Sequence, residues 1–348
     1  MTPDTRQLQF LQDFLHQWHE GTGIKACTSG TTGAPKEITL SMELIKRSAS
    51  RTNQIFGITR KSRLHSAISF EFIGGKMMIA RSLLAGCDLT FSEPSISVPP
   101  PEEGKKIDLM AVVPAQIESI LSTRDKFSFV NKYLVGGCPV PDDIWNRIVE
   151  SGINAWESYG MTETASHIAL RRIAGNGGSR PKFIPLPGVD VSLTPYGCLV
   201  IKDGDNVVET NDIASIYSDG SFEIIGRKDD IINTGGIKVQ PQNLETILRP
   251  YLSEILPIFY ISSLPDRIWS SRLVLVGLFP ESKDNDNDSE QILQKIRETL
   301  DLIPANQLPK KLRPKQLVLT IDIPITKAGK PDRKKLLKSD NIVFSAPL

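Results

Sequence analysis

Between Leu64 and Ser158 the chain alternates short apolar runs with segments of helical period, and that rhythm limits the fold more than any other feature. Leu64–Phe70, Cys87–Phe91, Leu109–Val113, Tyr133–Val135 and Ile153–Ser158 read as strands. Gly74–Ala85, Ala115–Leu121 and Pro141–Glu150 read as the helices between them. Alternation of this kind predicts α/β layering around a largely parallel sheet. The segment Ser92–Lys106, with Pro94, Pro99, Pro100 and Pro101, reads as loop.

The flanks read differently. Leu8, Phe10, Leu11, Phe14, Leu15 and Trp18 fall at helical spacing, and Gly21 can end that helix. A loop rich in Gly, Ser and Thr follows over Ala26–Leu40, and Ser41 then caps a helix that stops at Gly57. After about residue 180, turn signals at Pro195–Gly197, Asp203–Asp205 and Ser218–Ser221 separate short strands, which predicts a β-hairpin subdomain. From Gly226, helices (Pro241–Leu248, Ser289–Leu300) mix with strands (Arg272–Leu278, Gln316–Ile321), as in a small α+β domain. The expected division is residues 1–226 and 227–348. Glu281–Glu290 reads as a solvated loop.

Composition excludes several classes. Of 348 residues, 41 are Lys or Arg and 40 Asp or Glu, so no global field draws in a polyanion and nucleic acid is not an expected partner. Cys27, Cys87, Cys138 and Cys198 lie far apart without a CxxC pair, which speaks against a disulfide framework or structural zinc. No run approaches the roughly 20 apolar residues of a membrane span, and the N-terminus lacks the pattern of a signal peptide. A soluble cytoplasmic protein handling small ligands is the expectation.

Five motifs carry chemistry. Thr28-Ser29-Gly30-Thr31-Thr32-Gly33-Ala34-Pro35-Lys36 crowds hydroxyls and glycine amides into one loop able to wrap oxyanions, with Lys36 adding charge. It is not a Walker A loop, because no Gly precedes Lys36 and Glu37 follows it. Tyr159-Gly160-Met161-Thr162-Glu163-Thr164 follows a strand, where open α/β sheets bind ligands. There Tyr159 can stack on a base, Gly160 permits close approach, Thr162 can hold a phosphate oxygen, and Glu163 is a hard donor suited to Mg²⁺. Asp212 and Arg227 suit a ribose diol beside phosphate. Gly235-Gly236 and the Pro324-Ile325-Thr326-Lys327-Ala328-Gly329-Lys330 frame close the series, the latter singling out Lys330. His167 reads as polar lining.

In this order the motifs resemble the adenylate-forming, acyl-CoA synthetase-like superfamily, over the chain from about Ala26 to its end. The resemblance implies a large N-terminal α/β domain and a small mobile α+β lid. It implies that Thr28–Lys36 holds the β- and γ-phosphates of ATP, and that Gly136-Gly137-Cys138 and Tyr159–Thr162 form the adenine and α-phosphate pocket. It further puts Mg²⁺ on Glu163, ribose on Asp212 and Arg227, a hinge at Asp229 and the acyl-phosphate at Lys330. Gly235-Gly236 would face coenzyme A, and Gly137 and Gly160 would border the acid. Gly160–Arg171, Leu186–Val189 and Thr234–Val239 are most similar to the o-succinylbenzoate–CoA ligases of menaquinone (vitamin K2) biosynthesis.

Two departures stand out. Only 27 residues precede the phosphate loop, a reduction of the large domain that could favour a homodimer. Where many members carry His-x-x-Gly, this chain has Glu71-Phe72-Ile73-Gly74, and a charged Glu71 would be awkward beside an anionic acid. Arg81, on the following helix, is the candidate contact to a substrate carboxylate. The implied reaction forms an acyl-adenylate, then a CoA thioester as the lid turns about Asp229. A ligase for another carboxylic acid, an adenylation enzyme loading a carrier protein, and a silent nucleotide-binding regulator share these motifs.

Overall fold

The computed structural model describes residues 5–28, 36–101, 105–175, 180–279, 286–324 and 341–348. The chain divides into two units: Met1–Leu193 with Val200–Thr210 and Ile216–Glu223, and Thr194–Leu199 with Asn211–Ser215 and Ile224–Leu348.

The first unit opens with helix α1 (Thr5–Glu20), which ends at Gly21 in the left-handed conformation. Strands β1 (Ile24–Cys27) and β2 (Glu37–Leu40) form an antiparallel pair. Helix α2 (Met42–Phe56) begins where the Ser41 hydroxyl accepts the Leu44 N–H at 3.2 Å and ends at Gly57, φ 66°. There follow β3 (Arg63–Ser66), α3 (Ile73–Ala85), β4 (Asp88–Phe91), β5 (Leu109–Val112), α4 (Pro114–Ser122), β6 (Tyr133–Val135), α5 (Asp142–Ser151), β7 (Ala155–Met161), β8 (Ser166–Arg172) and β9 (Ile184–Pro185).

Strands β3 to β9 make one sheet in the order β4-β3-β5-β6-β7-β8-β9, parallel through β7 and antiparallel beyond it. The α/β layering read from the sequence is present. Because β3 lies between β4 and β5, the winding reverses there, and the carboxyl ends of β3 and β5 to β7 open onto one edge. On one face, Phe14 of α1, Leu44, Ile45 and Ala49 of α2, and Met77 and Ala80 of α3 are buried together. On the other, Ile117 and Ile120 of α4 and Ile144, Trp145 and Ile148 of α5 pack with Met110, Val112 and Val135. Strands β10 (Val189–Leu193), β11 (Cys198–Asp203), β12 (Asn206–Ile216) and β13 (Phe222–Arg227) form a four-stranded sheet in sequence order. Within the first unit, Asp203 of β11 is clamped by Arg51 at 2.6 and 2.7 Å and by Arg47 at 2.6 Å, both from α2.

The second unit contains β14 (Ile232–Thr234), β15 (Ile237–Val239), α6 (Pro241–Leu252), β16 (Phe259–Asp266), β17 (Ser270–Leu278), α7 (Asp286–Leu302), β18 (Gln316–Thr320) and β19 (Ile342–Pro347). Strands β16 to β19 form one sheet, in which only the β17–β18 pair is parallel. Along β17 the side chains split by parity: Leu273 and Leu275 join Leu244 and Leu248 of α6 and Ile296 of α7, while Val274 and Val276 pack with Tyr260 and Val318.

Four expectations shift. The first strand stops at Ser66, whose hydroxyl bonds Ile68 and turns the chain, although the apolar run continues. The strand expected to end at Ser158 runs to Met161, so the Tyr159 motif belongs to the strand itself. The loop expected over Ala26–Leu40 is strand at both ends, Ala26 and Cys27 belonging to β1 and Glu37–Leu40 to β2. Residues from Asp286 onward, read as loop, begin α7; residues 281–285 lie outside the described ones. Among the described residues the four cysteines are free, and no helix is long and apolar enough to cross a membrane.

Candidate active site

The phosphate-loop residues Ser29, Gly30, Thr31, Thr32 and Gly33, and also Lys330, lie outside the described residues. What is described is the neck that carries the loop. The β1–β2 ladder runs from Ile24–Leu40 to Cys27–Glu37, and the Thr28 N–H donates to the Lys36 carbonyl at 2.9 Å, which closes it one step further. Lys76 of α3 donates its ammonium to the Lys25 carbonyl at 2.5 Å and ties the neck to the helical layer. Lys36 is exposed and Thr28 half-buried.

At the carboxyl ends of β6 and β7 the glycines answer to close packing. A Cβ on Gly136 would stand 2.4 Å from the Ser158 hydroxyl; Gly137, at φ 91°, is exposed and takes a conformation other residues resist, with Cys138 half-buried beside it. On β7 a Cβ at Gly160 would stand 2.1 Å from the Ser166 carbonyl, so only glycine lets β8 cross here, at a bulge between Tyr159 and Gly160. The Tyr159 ring packs against Phe183 (5.7 Å between centroids) and Phe222 (5.5 Å), which stack on each other.

Thr162, Glu163 and Thr164 then form a single tight turn. The Thr164 hydroxyl accepts the Met161 N–H at 3.1 Å and lies 2.8 Å from the Ser166 carbonyl, and Asn206 donates to the Glu163 carbonyl at 3.2 Å. Ala165 (φ 50°) and Ser166 (φ 84°) both sit in the left-handed region, a strain of about 1–3 kcal/mol each that the surrounding bonds enforce. The outcome is a fixed turn that presents the half-buried Thr162 and Glu163 at the end of the sheet.

Arg81, the candidate contact to a substrate carboxylate, is 1% exposed, enclosed among α2, α3 and β8. It bonds Met78 Sδ at 3.3 Å and His167 Nδ1 at 3.4 Å; its Nε has no hydrogen-bond partner, and among the described residues no carboxylate pairs with it. Burial lowers the guanidinium to about 9. His167 is in turn held well below its ordinary value, by burial and then by the Arg81 charge, so it stays neutral as lining, with Thr52 on its other nitrogen at 3.2 Å. Glu71 is exposed, 3.9 Å from Arg6, and faces solvent.

In the second unit, Asp212 and Arg227 approach to 3.3 Å, Arg227 reaches Asp229 at 4.0 Å, and Asn211 donates to Asp229 at 3.0 Å. Gly235 and Gly236, both at positive φ, are the two-residue turn between β14 and β15, as a type I′ hairpin requires. A Cβ on Gly235 would stand 2.3 Å from the Trp269 ring, and Thr234, Trp269, Arg272, Lys311 and Lys315 line a basic cleft beside the turn.

Among the described residues no three His, Cys, Asp or Glu gather as a metal site. Mg²⁺ keeps waters and takes one or two carboxylates with substrate phosphates, and the half-buried Glu163 is a carboxylate of that kind. The sequence reading missed Phe183 and Phe222 behind Tyr159. It also missed Glu157, a carboxylate directly after Ala155 and Trp156; a charge in a buried strand needs a partner, and that signal was available.

Comparison with known proteins decides the family. The AMP-binding enzyme model matches residues 27–211, more than half of the chain. This chain belongs to the AMP-binding enzyme family. It is 25% identical over 338 residues to the 2-succinylbenzoate–CoA ligase of Listeria monocytogenes, spanning 89% of this chain and 68% of that one. To the ligase of the same name from Enterococcus faecalis it is 23% identical, covering 91% and 69%. Among solved structures, an acyl-CoA synthetase (AMP-forming)/AMP-acid ligase II-like protein from Dyadobacter fermentans is 27% identical with a TM-score of 0.60, covering 96% of this chain and 94% of that one. The o-succinylbenzoate CoA synthetase of Bacillus subtilis with its acyl-adenylate shares the fold, with a TM-score of 0.70 at 19% identity and coverage of 92% and 70%.

Proposed function

We propose that this protein is an AMP-forming acid–CoA ligase whose acid is 2-succinylbenzoate, in menaquinone biosynthesis. The observation that carries the substrate is Arg81. A buried guanidinium without a carboxylate partner is costly unless an anion arrives to meet it. 2-Succinylbenzoate has two carboxylates: one reacts, and the other is left for a cation to hold. Met78 and His167, the present neighbours of Arg81, are the groups that carboxylate would displace. The names of the relatives support the same acid.

The reaction has two halves. The acid's carboxylate oxygen attacks the α-phosphorus of ATP, the bond to the β-phosphate breaks, and acyl-adenylate and pyrophosphate form. The CoA thiolate then attacks the acyl carbon, and AMP leaves with the electron pair of the broken acyl–oxygen bond. In the first half, Thr28, Ser29, Gly30, Thr31, Thr32, Gly33 and Lys36 hold the β- and γ-phosphates, Gly136, Gly137, Cys138, Tyr159, Gly160 and Met161 the adenine and α-phosphate, and Asp212 and Arg227 the ribose. Thr162 and Lys330 meet the charge that grows on the α-phosphoryl oxygens. Glu163 would hold Mg²⁺, which supplies neutralisation of phosphate charge. In the second half, Asp229 is the pivot and Gly235-Gly236 flank the pantetheine. The basic cleft beside Trp269 supports this, because its cations suit the phosphates of CoA.

Pyrophosphate release by the purified protein, with ATP, Mg²⁺ and a panel of aromatic and aliphatic acids, tests the reading. Release with 2-succinylbenzoate and not with benzoate is expected. Preference for a monocarboxylic acid would remove the assignment of the substrate and leave the ligase chemistry.

A further inference from the structure

Behind the proposed nucleotide pocket lies a buried ion pair that no step above uses. Glu157, two residues before Tyr159 on β7 and on the same strand face, is 2% exposed. One of its carboxylate oxygens accepts the N–H of Val140 at 2.9 Å, and the other accepts Nε of Arg171, on β8, at 2.7 Å. Val140 follows the Gly136–Pro139 segment, and its carbonyl accepts a bond from Arg180 at 2.7 Å, so the residue is held at both its N–H and its C=O. The Arg171 guanidinium also lies 4.3 Å from the centroid of Phe183, the ring that packs on Tyr159. One guanidinium therefore touches both the carboxylate that fixes the glycine segment and the aromatic floor under Tyr159.

We propose that Glu157 and Arg171 are positioning residues that set the spacing between the Gly136–Cys138 wall and the Tyr159 wall of the nucleotide pocket, and so the affinity for ATP. The inference rests on the reading of those walls as nucleotide contacts. Stability alone is a weak reason for such a pair: replacing both members of a buried ion pair by apolar groups of similar volume is often neutral, whereas removing one strands the other. What the pair adds here is geometry, because the Val140 N–H has a charged acceptor in a single place.

The test is steady-state pyrophosphate release with ATP and 2-succinylbenzoate in wild type, E157Q and the double variant E157L/R171M. The double variant strands no charge and keeps a thermal midpoint near wild type. Its KM for ATP rises about tenfold, its KM for the acid stays within twofold, and E157Q, which keeps the shape and one acceptor, falls between. A folded double variant with wild-type KM for ATP overturns the inference, and so does an equal rise in both KM values. Should the double variant not fold, wild-type KM for ATP in E157Q overturns it instead. If the wild-type protein is silent with every acid, the proposed function fails, and calorimetric titration with ATP then tests the pair without turnover: unchanged ATP affinity in the variants overturns it.

Discussion

The proposed choice of acid rests on one residue, Arg81, a buried guanidinium that no carboxylate among the described residues meets. Arg81→Met keeps most of the volume and removes the charge, so it should raise KM for 2-succinylbenzoate by about ten- to a hundredfold, a loss of roughly 1.4–2.8 kcal/mol, and leave KM for ATP unchanged. Equal KM for the acid in wild type and variant would place the second carboxylate elsewhere. Lys330 is argued the other way, from chemistry alone: Lys330→Ala should abolish adenylation while thioester formation from preformed acyl-adenylate persists, with comparable loss of both halves counting against it. These residues differ in how far the sequence discloses them. Thr162 and Glu163 are legible because chemistry demands their types beside a glycine, whereas the enclosure of Arg81 is not. Its environment is built from α2 and β8, distant in sequence, and helical spacing alone does not say which side of α3 meets them.

At the scale of elements, a buried histidine ties two neighbouring strands of the sheet. His65 of β3 bridges Thr90 at 2.9 Å and Ser92 at 3.2 Å, and burial lowers its imidazole to about 4. Between that value and the unfolded one near 6.5, the unfolded chain binds a proton that the folded chain does not. Stability therefore falls as pH drops through this window, and the contribution of His65 to the slope is at most about 1.4 kcal/mol per pH unit. In His65→Asn, denaturant unfolding from pH 4 to 6.5 should show a slope shallower by that amount; an unchanged slope would mean the ring is charged in the fold. Element boundaries were legible where capping chemistry is local, at Ser41, Gly57 and Gly21. They were not where a partner strand decides: β7 runs on through Gly160 because β8 crosses there, and no pattern within Ala155–Met161 announces β8.

For the whole molecule the claim is one site serving two half-reactions, with Asp229 as the pivot between them. Proline at that position freezes φ, so Asp229→Pro should leave pyrophosphate release intact and lower thioester formation about tenfold or more. Unimpaired overall turnover would move the pivot elsewhere. The α/β plan of the first unit and the α+β plan of the second were legible in the sequence, because periodicity and turns are local. The assignment of Thr194–Leu199 and Asn211–Ser215 to the second unit was not, since nothing within those short segments marks it. The measurement that bears most directly on the account is mass analysis of products from ATP, Mg²⁺, CoA and an equimolar mixture of 2-succinylbenzoate and benzoate. The account predicts 2-succinylbenzoyl-CoA with one AMP and one pyrophosphate for each thioester. Formation of ADP and phosphate, or of adenylate that never passes to CoA, would contradict it.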